Sequence, residues 1–244
     1  MSRKCIFCNS SGKMSNEHVF PQWLLKELQI EKNKISMGSV YFGMTGSQRN
    51  MDFASFVNGR ICECCNNGWM SKLEIDVAPH ITNLMNFRDV ETELRWIEGN
   101  AETLAKWVLK TCFVLNDCTN YRRIVPNGVV NDLYNGLFPN ATYVGMMFSC
   151  DDSPVRFMQS QGGFLMNCAS DEIASISFHF GFIIKIKNVV FVVRGVDAHQ
   201  RKVHFEKEKC ISIYPEFGSP TSFKDSVAND DVFLELFPTA FFYD

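Results

Sequence analysis

Two pairs of cysteines with C-x-x-C spacing constrain this chain more than any other feature of its sequence. Cys5 and Cys8 form the first pair, and Cys62 and Cys65 form the second. Tetrahedral zinc takes four ligands, and each C-x-x-C turn presents two thiolates that can share one ion. Because the pairs lie far apart in sequence, they close one site only if the chain folds back on itself. We therefore predict a structural Zn²⁺ that holds the first residues to the start of a later helix, with Cys64 as an alternative ligand of poorer spacing.

The remaining cysteines and the length of the chain favour a reducing compartment. The chain has 244 residues and ten cysteines, and it is too long for a small disulfide-stapled domain. Cysteines outside the two pairs are best interpreted as buried free thiols. No uncharged apolar run reaches about 18 residues, so no transmembrane helix is expected. The first residues lack the apolar stretch and cleavage site of a signal peptide, and we expect a cytoplasmic protein with no membrane partner.

The charge distribution gives only a weak indication about partners. The net charge of −3 makes no global case for binding nucleic acid. Residues 1–80 carry nine Lys and Arg against seven Asp and Glu, whereas the rest carries fifteen against twenty. The first part is therefore near +2 and the remainder near −5, which a solvated surface without any ligand would also explain. Arg122 and Arg123 could contact DNA phosphates, although a solvated face is the better explanation for them.

An acid–histidine pair lies between the two cysteine pairs. Glu17-His18 is followed closely by Pro21, and Asn66 comes directly after the second cysteine pair. Such a dipeptide alone is more typical of an ordinary surface. Its position between two groups of zinc ligands is what indicates a site.

The order C-x-x-C, acid–His, C-x-x-C-Asn resembles the zinc-containing branch of the HNH (ββα-metal) endonuclease superfamily. The strings Asn16–Pro21 and Cys65–Ser71 also resemble a set of bacterial HNH-like proteins of similar length. The resemblance covers about the first 75 residues well, and beyond them only the helix that contains residues 104–107.

That resemblance implies two metal sites and a general base. The structural zinc would be held by Cys5, Cys8, Cys62 and Cys65. Glu17 and Asn66 would hold a catalytic Mg²⁺ or Mn²⁺, and His18 would deprotonate the attacking water. Asn58 would orient His18. The implied activity is hydrolysis of phosphodiester bonds in DNA, with double-stranded DNA as the expected partner.

The chemistry of these residue types agrees with that activity. A neutral histidine has an ordinary pKa near 6.5 and can accept a proton from water at neutral pH. A hard divalent ion can stabilise the leaving oxygen when few protein ligands hold it, because phosphate and water supply the rest. A carboxylate and an amide oxygen are adequate protein ligands for such an ion.

Three features depart from the pattern of that superfamily. Glu17 stands where Asp is commoner, so its carboxylate reaches one methylene further. The 43 residues between His18 and Cys62 are more than a compact ββα unit needs. Asn58 precedes Gly59 and is equally well explained as a turn residue, in which case another group orients His18.

The hydrophobic pattern predicts an α+β fold. Helices are expected after Pro21, after Cys65, and over residues 101–115, where Leu104 and Val108 belong to an apolar stripe. Residues 36–60 are rich in Gly and Ser, and we interpret them as irregular strands and loops. Strands are predicted at 141–149, 176–186, 189–194 and 210–214, with a hairpin at Lys187-Asn188. The tail over 230–243 is expected to be a docked terminal element.

We expect two domains, a zinc-stapled HNH nuclease-like module over 1–85 and an α+β domain over 95–244. The second domain carries no motif that identifies its function, and its acidic balance favours a regulatory or homo-oligomerising unit. Two alternatives to an endonuclease stay open. One is a non-catalytic zinc module that recognises nucleic acid or protein, and the other is an effector in which the second domain senses a ligand and controls the nuclease.

Overall fold

The computed structural model describes most of the chain, with gaps. The described residues are 3–41, 44–118, 123–138, 142–149, 153–164, 177–196, 202–205, 210–218, 227–228 and 240–243.

The N-terminal third is built on two antiparallel strand pairs. Its elements are β1 (Met14–His18), α1 (Gln22–Glu27), β2 (Lys34–Tyr41), β3 (Met44–Asp52), a 3₁₀ turn (Phe53–Ser55) and β4 (Val57–Cys62). β1 pairs with β4, and β2 pairs with β3. The irregular strands expected over 36–60 correspond to β2 and β3, whose pairing shifts register between Gly38 and Val40. Their pairing follows an alternation that begins before residue 36, because Ile35 and Met37 both turn into the core.

A helical layer follows β4 without a break. It consists of α2 (Glu63–Cys65), a π-helical turn (Asn66–Met70), α3 (Ser71–Met85), α4 (Val90–Gly99), α5 (Ala101–Cys118) and α6 (Asn127–Tyr134). The predicted helix over 101–115 is confirmed and runs three residues further. Most of α5 from Leu104 to Asn116 is buried, so it lies inside the molecule rather than on its surface.

The C-terminal part forms a mainly antiparallel six-stranded sheet and a separate strand pair. Its strands are β5 (Thr142–Ser149), β6 (Val155–Phe164), β7 (Ser177–Ile186), β8 (Val189–Val196), β9 (Lys202–Phe205), β10 (Ile211–Tyr214), β11 (Val227–Ala228) and β12 (Ala240–Tyr243). The order is β10-β5-β8-β7-β6, β11 adds to β5 in parallel, and β9 pairs with β12. The four predicted strands and the Lys187-Asn188 hairpin are confirmed within the described residues. Residues 230–239 of the predicted terminal element lie outside the described residues.

One buried apolar cluster joins these layers. α5 packs on α3, on β4 and on β10. Trp107 of α5 meets Phe191 of β8 with ring centroids 5.9 Å apart, and Phe56 stacks on Phe157 of β6 at 6.0 Å. The cluster therefore extends from Cys5 to Ile213. The division into domains at 1–85 and 95–244 stays a prediction. None of the described helices combines the length and the apolar character that crossing a bilayer requires.

Candidate metal centre and the adjoining strand pair

The four paired cysteines meet in space as their spacing predicts. The Sγ atoms of Cys5, Cys8, Cys62 and Cys65 all lie within 4.8 Å of one another. The Cys8 and Cys62 sulfurs are 3.5 Å apart. Tetrahedral ligation with Zn–S bonds of 2.3 Å requires sulfurs separated by about 3.8 Å, so the cluster has the size of a zinc site. The donor set fits a structural zinc, and Cys64 is exposed and outside the cluster.

Local backbone structure brings the two cysteine pairs together. Cys5 and Cys8 lie in a tight turn in which the N–H of Asn9 donates to the carbonyl of Cys5. The N–H of Ile6 donates to the carbonyl of Arg60, which ties this turn to β4. Cys62 ends β4 and Cys65 ends α2. A metal here would therefore join the first residues of the chain to the strand-to-helix junction.

Burial makes this thiol cluster costly to ionise without a cation. Burial raises the pKa of Cys65 well above its ordinary value, and the neighbouring Cys5 thiolate raises it further. Burial also raises the pKa of Cys8. Burial acts in the same direction on Cys5, but N–H groups of Cys62, Cys8 and Phe7 outweigh it and lower that pKa. A divalent cation would offset the repulsion between the thiolates.

The strand pair beside this centre carries the acid–histidine dipeptide. In the register of β1 and β4, Glu17 lies opposite Asn58 and His18 lies opposite Val57. A bulge falls between this pairing and that of Ser15 with Ile61. Because successive strand residues face opposite ways, the side chains of Glu17 and His18 lie on opposite faces of the pair.

Glu17 lies in the interior next to a buried lysine. It is 7% exposed, and its Oε1 lies 3.7 Å from Nζ of Lys110 on α5. The same ammonium lies 2.5 Å from Oε1 of Glu74 on α3. Burial raises the pKa of Glu17 to about 7, while Lys110 lowers it and Glu74 raises it. Lys110 is completely buried, and its charge is met more closely by Glu74 than by Glu17.

Asn66 begins the π-helical turn and contacts β1. Its Nδ2 donates to Oγ of Ser15 at 3.1 Å, and that hydroxyl donates to the carbonyl of Ile61 at 2.9 Å. Asn66 therefore contacts β1 two residues before Glu17, with the register irregularity between Ser15 and Glu17. In the described part of the chain no hydrogen bond joins Asn66 to Glu17, so their shared role in holding an ion stays a prediction. The Oδ1 of Asn66 accepts no hydrogen bond from the described residues.

Asn58 is tied to α5. Its Nδ2 donates to the carbonyl of Val114 at 3.3 Å and to Oδ2 of Asp117 at 3.2 Å. Its Oδ1 accepts from the N–H of Arg60 at 2.8 Å. Within the described part of the chain no hydrogen bond joins Asn58 to His18, so its predicted orienting role stays a prediction.

His18 is the last residue of β1 and is partly buried. In the described structure its ring makes no hydrogen bond and no ion pair.

The sequence alone does not identify several partners of these residues. Lys110, Glu74 and Asp117 belong to no motif, and they contact β1 and β4 only because of the tertiary fold. The one available signal is a lysine inside a strongly apolar helix, which must find a counter-ion if it is buried.

Comparison of the chain with family models, with curated proteins and with solved structures gave no match.

Proposed function

We propose that this protein is a zinc-stapled, metal-dependent endonuclease of the HNH type that hydrolyses phosphodiester bonds of DNA. The proposal is supported by the order of elements: a strand with Glu17-His18, an antiparallel strand, and then a helix that begins beside the zinc centre. The observation that carries it is the hydrogen bond from Asn66 to Ser15. This bond holds Asn66 against β1 two residues before Glu17, although Asn66 is remote from β1 in sequence.

The donor chemistry near Glu17 suits a hard divalent ion. Mg²⁺ and Mn²⁺ prefer carboxylate and amide oxygens, and Glu17 and Asn66 offer one of each. The Lys110 ammonium is a nearby competitor, but its closer partner is Glu74. We assign Glu17 and Asn66 as the ligands of the catalytic ion, which would supply charge stabilisation at the phosphoryl and leaving oxygens.

His18 takes the role of general base in this proposal. Its ring has no described partner to compete for the proton of water. Glu17 and His18 face opposite sides of the strand pair. The scissile phosphate would therefore bind at the end of β1, where it can reach both side chains. Transfer of the water proton to a well-placed imidazole contributes typically 10²–10⁴-fold to such a reaction.

A non-catalytic zinc module is the second candidate, and a specific observation favours it. Glu17 is largely buried beside a lysine, and Asn58 is used to tie β4 to α5. In this case both side chains would stabilise the fold, and the zinc centre would support recognition of nucleic acid or protein.

A plasmid-nicking assay separates the two candidates. Zinc-replete protein is incubated with supercoiled plasmid and Mg²⁺ or Mn²⁺. The endonuclease proposal predicts nicking by the wild type and at least a 10²-fold loss in His18→Ala and in Asn66→Ala. Asn67→Ala is the matched control, because Asn67 is exposed and adjacent to Asn66. No nicking with any divalent metal, or equal nicking by His18→Ala, would exclude the nuclease and leave the zinc module.

A further inference from the structure

Two arginines from separate elements converge on one carboxylate beside the strand pair. Nη1 of Arg60 on β4 lies 2.6 Å from Oδ1 of Asp117, and Nε of Arg123 lies 2.8 Å from the same oxygen. The side chain of Asp117 is only 9% exposed, whereas those of Arg60 and Arg123 are 37% and 53% exposed. We call Arg60, Arg123 and Asp117 the arginine fork. The carboxylate is the inner part of the fork and the guanidinium groups are its outer part.

The fork carries more positive charge than its own carboxylate can neutralise. Two guanidinium groups against one carboxylate leave a net charge of +1. No other acidic group in the described residues forms an ion pair with either arginine. Each guanidinium has five N–H donors, and each uses only one of them on Asp117. The remaining donors of two partly exposed arginines are available to an anion.

A purely structural role explains only part of this arrangement. Asp117 lies in the last turn of α5, where the helix dipole favours a nearby cation. One arginine would neutralise Asp117 and complement the helix end. The second guanidinium adds an excess charge that the fold alone does not require.

The fork adjoins the proposed catalytic strand pair. Asn58, the strand partner of Glu17, donates to the second oxygen of Asp117. Lys110 and Asp117 are seven residues apart on α5, which corresponds to about 10 Å along the helix axis. Arg60 lies on β4 two residues after Asn58, so the fork is attached to the same strand pair that carries Glu17 and His18.

We propose that Arg60 and Arg123 bind a backbone phosphate of a nucleic acid substrate that flanks the bond to be cut. The identity of the ligand as nucleic acid rests on the proposed function. Guanidinium groups match phosphate geometry through paired N–H donors, and Asp117 holds the two groups in place before the ligand arrives. Asn58 supports the arginine fork, because its hydrogen bond to Asp117 holds that carboxylate against β4. The contact is to phosphate, so it contributes affinity and register rather than base specificity.

The salt dependence of binding tests this assignment without any catalysis. A fluorescein-labelled 20-base-pair DNA duplex is titrated with zinc-replete protein, without Mg²⁺ or Mn²⁺, between 50 and 200 mM salt. Loss of one phosphate contact lowers the slope of log K against log salt by about 0.9. Arg60→Ala and Arg123→Ala are each expected to bind more weakly at 50 mM. Their deficit relative to the wild type should shrink by about 3.5-fold at 200 mM.

Arg95→Ala is the matched control, because Arg95 is an exposed arginine on α4 whose described ion pair is with Glu91. It removes the same charge from the chain and is expected to leave the slope unchanged. Arg123→Lys keeps the charge and should keep the slope while losing affinity. If Arg60→Ala fails to fold, Arg123→Ala and Arg123→Lys still decide, since Arg123 is half exposed.

Each outcome has one meaning. A wild type that does not bind the duplex, or fork variants whose slope equals that of the wild type, would overturn the assignment. The same holds if Arg95→Ala changes the slope as much as the fork variants do. A protein that binds with the expected slopes but never nicks DNA would keep the fork and lose the nuclease.

Discussion

Glu17 is a carboxylic acid in a nearly dry environment, and its burial shapes the behaviour of the whole strand pair. Only 7% of it is exposed, and its nearest cation is bound more closely by another acid. Desolvation therefore dominates, and the pKa of Glu17 rises to about 7 from an ordinary value of 4.5. A divalent ion at Glu17 and Asn66 would favour the ionised carboxylate. Without such an ion, ionised Glu17 opposes folding.

This residue makes the pH dependence of stability predictable. Below about pH 4.5 Glu17 is protonated in both the folded and the unfolded state, so its ionisation does not change the free energy of unfolding. Between about pH 4.5 and pH 7 the unfolded state is ionised while folded Glu17 keeps its proton, so stability falls over this range by about 3 kcal/mol and the Glu17 contribution is constant above it. We expect Glu17→Gln to match the wild type near pH 4. At pH 8 the variant should be more stable by up to about 3 kcal/mol in urea unfolding without Mg²⁺.

Glu63→Gln is the control for this measurement, because the carboxylate of Glu63 is largely exposed and pairs with Lys13. It should show no comparable trend with pH. A wild type as stable as Glu17→Gln at pH 8 would show that Lys110 neutralises Glu17 fully and that desolvation does not dominate.

At the level of elements, α5 is the helix that holds the site together. One stripe of α5 faces the strand pair. On it, Lys110 lies near Glu17, and the carbonyl of Val114 accepts a hydrogen bond from Asn58. Asp117, further along the stripe, accepts hydrogen bonds from Asn58 and Arg60. Trp107 and Phe113 flank this stripe and pack on the C-terminal sheet. Lys110 lies in the buried part of the helix, so its charge needs partners there, and it meets two carboxylates.

Removing the charge of Lys110 should therefore be far more damaging than removing a lysine elsewhere on α5. Lys110→Met leaves Glu17 and Glu74 without their cation, and we expect a loss of about 3–5 kcal/mol in the free energy of unfolding. Adding Glu17→Gln and Glu74→Gln to Lys110→Met should recover most of this loss.

Lys106→Met is the comparison, one turn earlier on the same helix. Lys106 lies over the ring of Trp69 at 5.2 Å and should contribute no more than about 1 kcal/mol. Equal destabilisation by Lys106→Met and Lys110→Met would contradict the account of a buried ion triad.

For the molecule as a whole, the sequence predicted features that depend on local spacing better than those that depend on distant contacts. The C-x-x-C spacing identified the four thiols that meet, and helical periodicity identified α5 because its apolar residues recur at the helical period. The partners of Glu17 and Asn58 could not be foreseen, because Lys110 and Asp117 approach them only through packing of α5 on β4. Gly and Ser weaken the alternation over 36–60, so only irregular strands could be expected there, and the β2–β3 pairing does shift register between Gly38 and Val40.

The four-cysteine cluster joins these scales, since it connects the first residues, the strand pair and the start of the helical layer. Its metal content tests the account most directly. Protein purified without chelators and analysed by elemental mass spectrometry should contain one zinc per chain. Cys62→Ala should lose the zinc and melt at a lower temperature, whereas Cys64→Ala, one residue from the cluster member Cys65 and exposed, should keep both zinc and stability. A wild type without zinc, or a Cys62→Ala variant that still binds one ion per chain, would contradict the account.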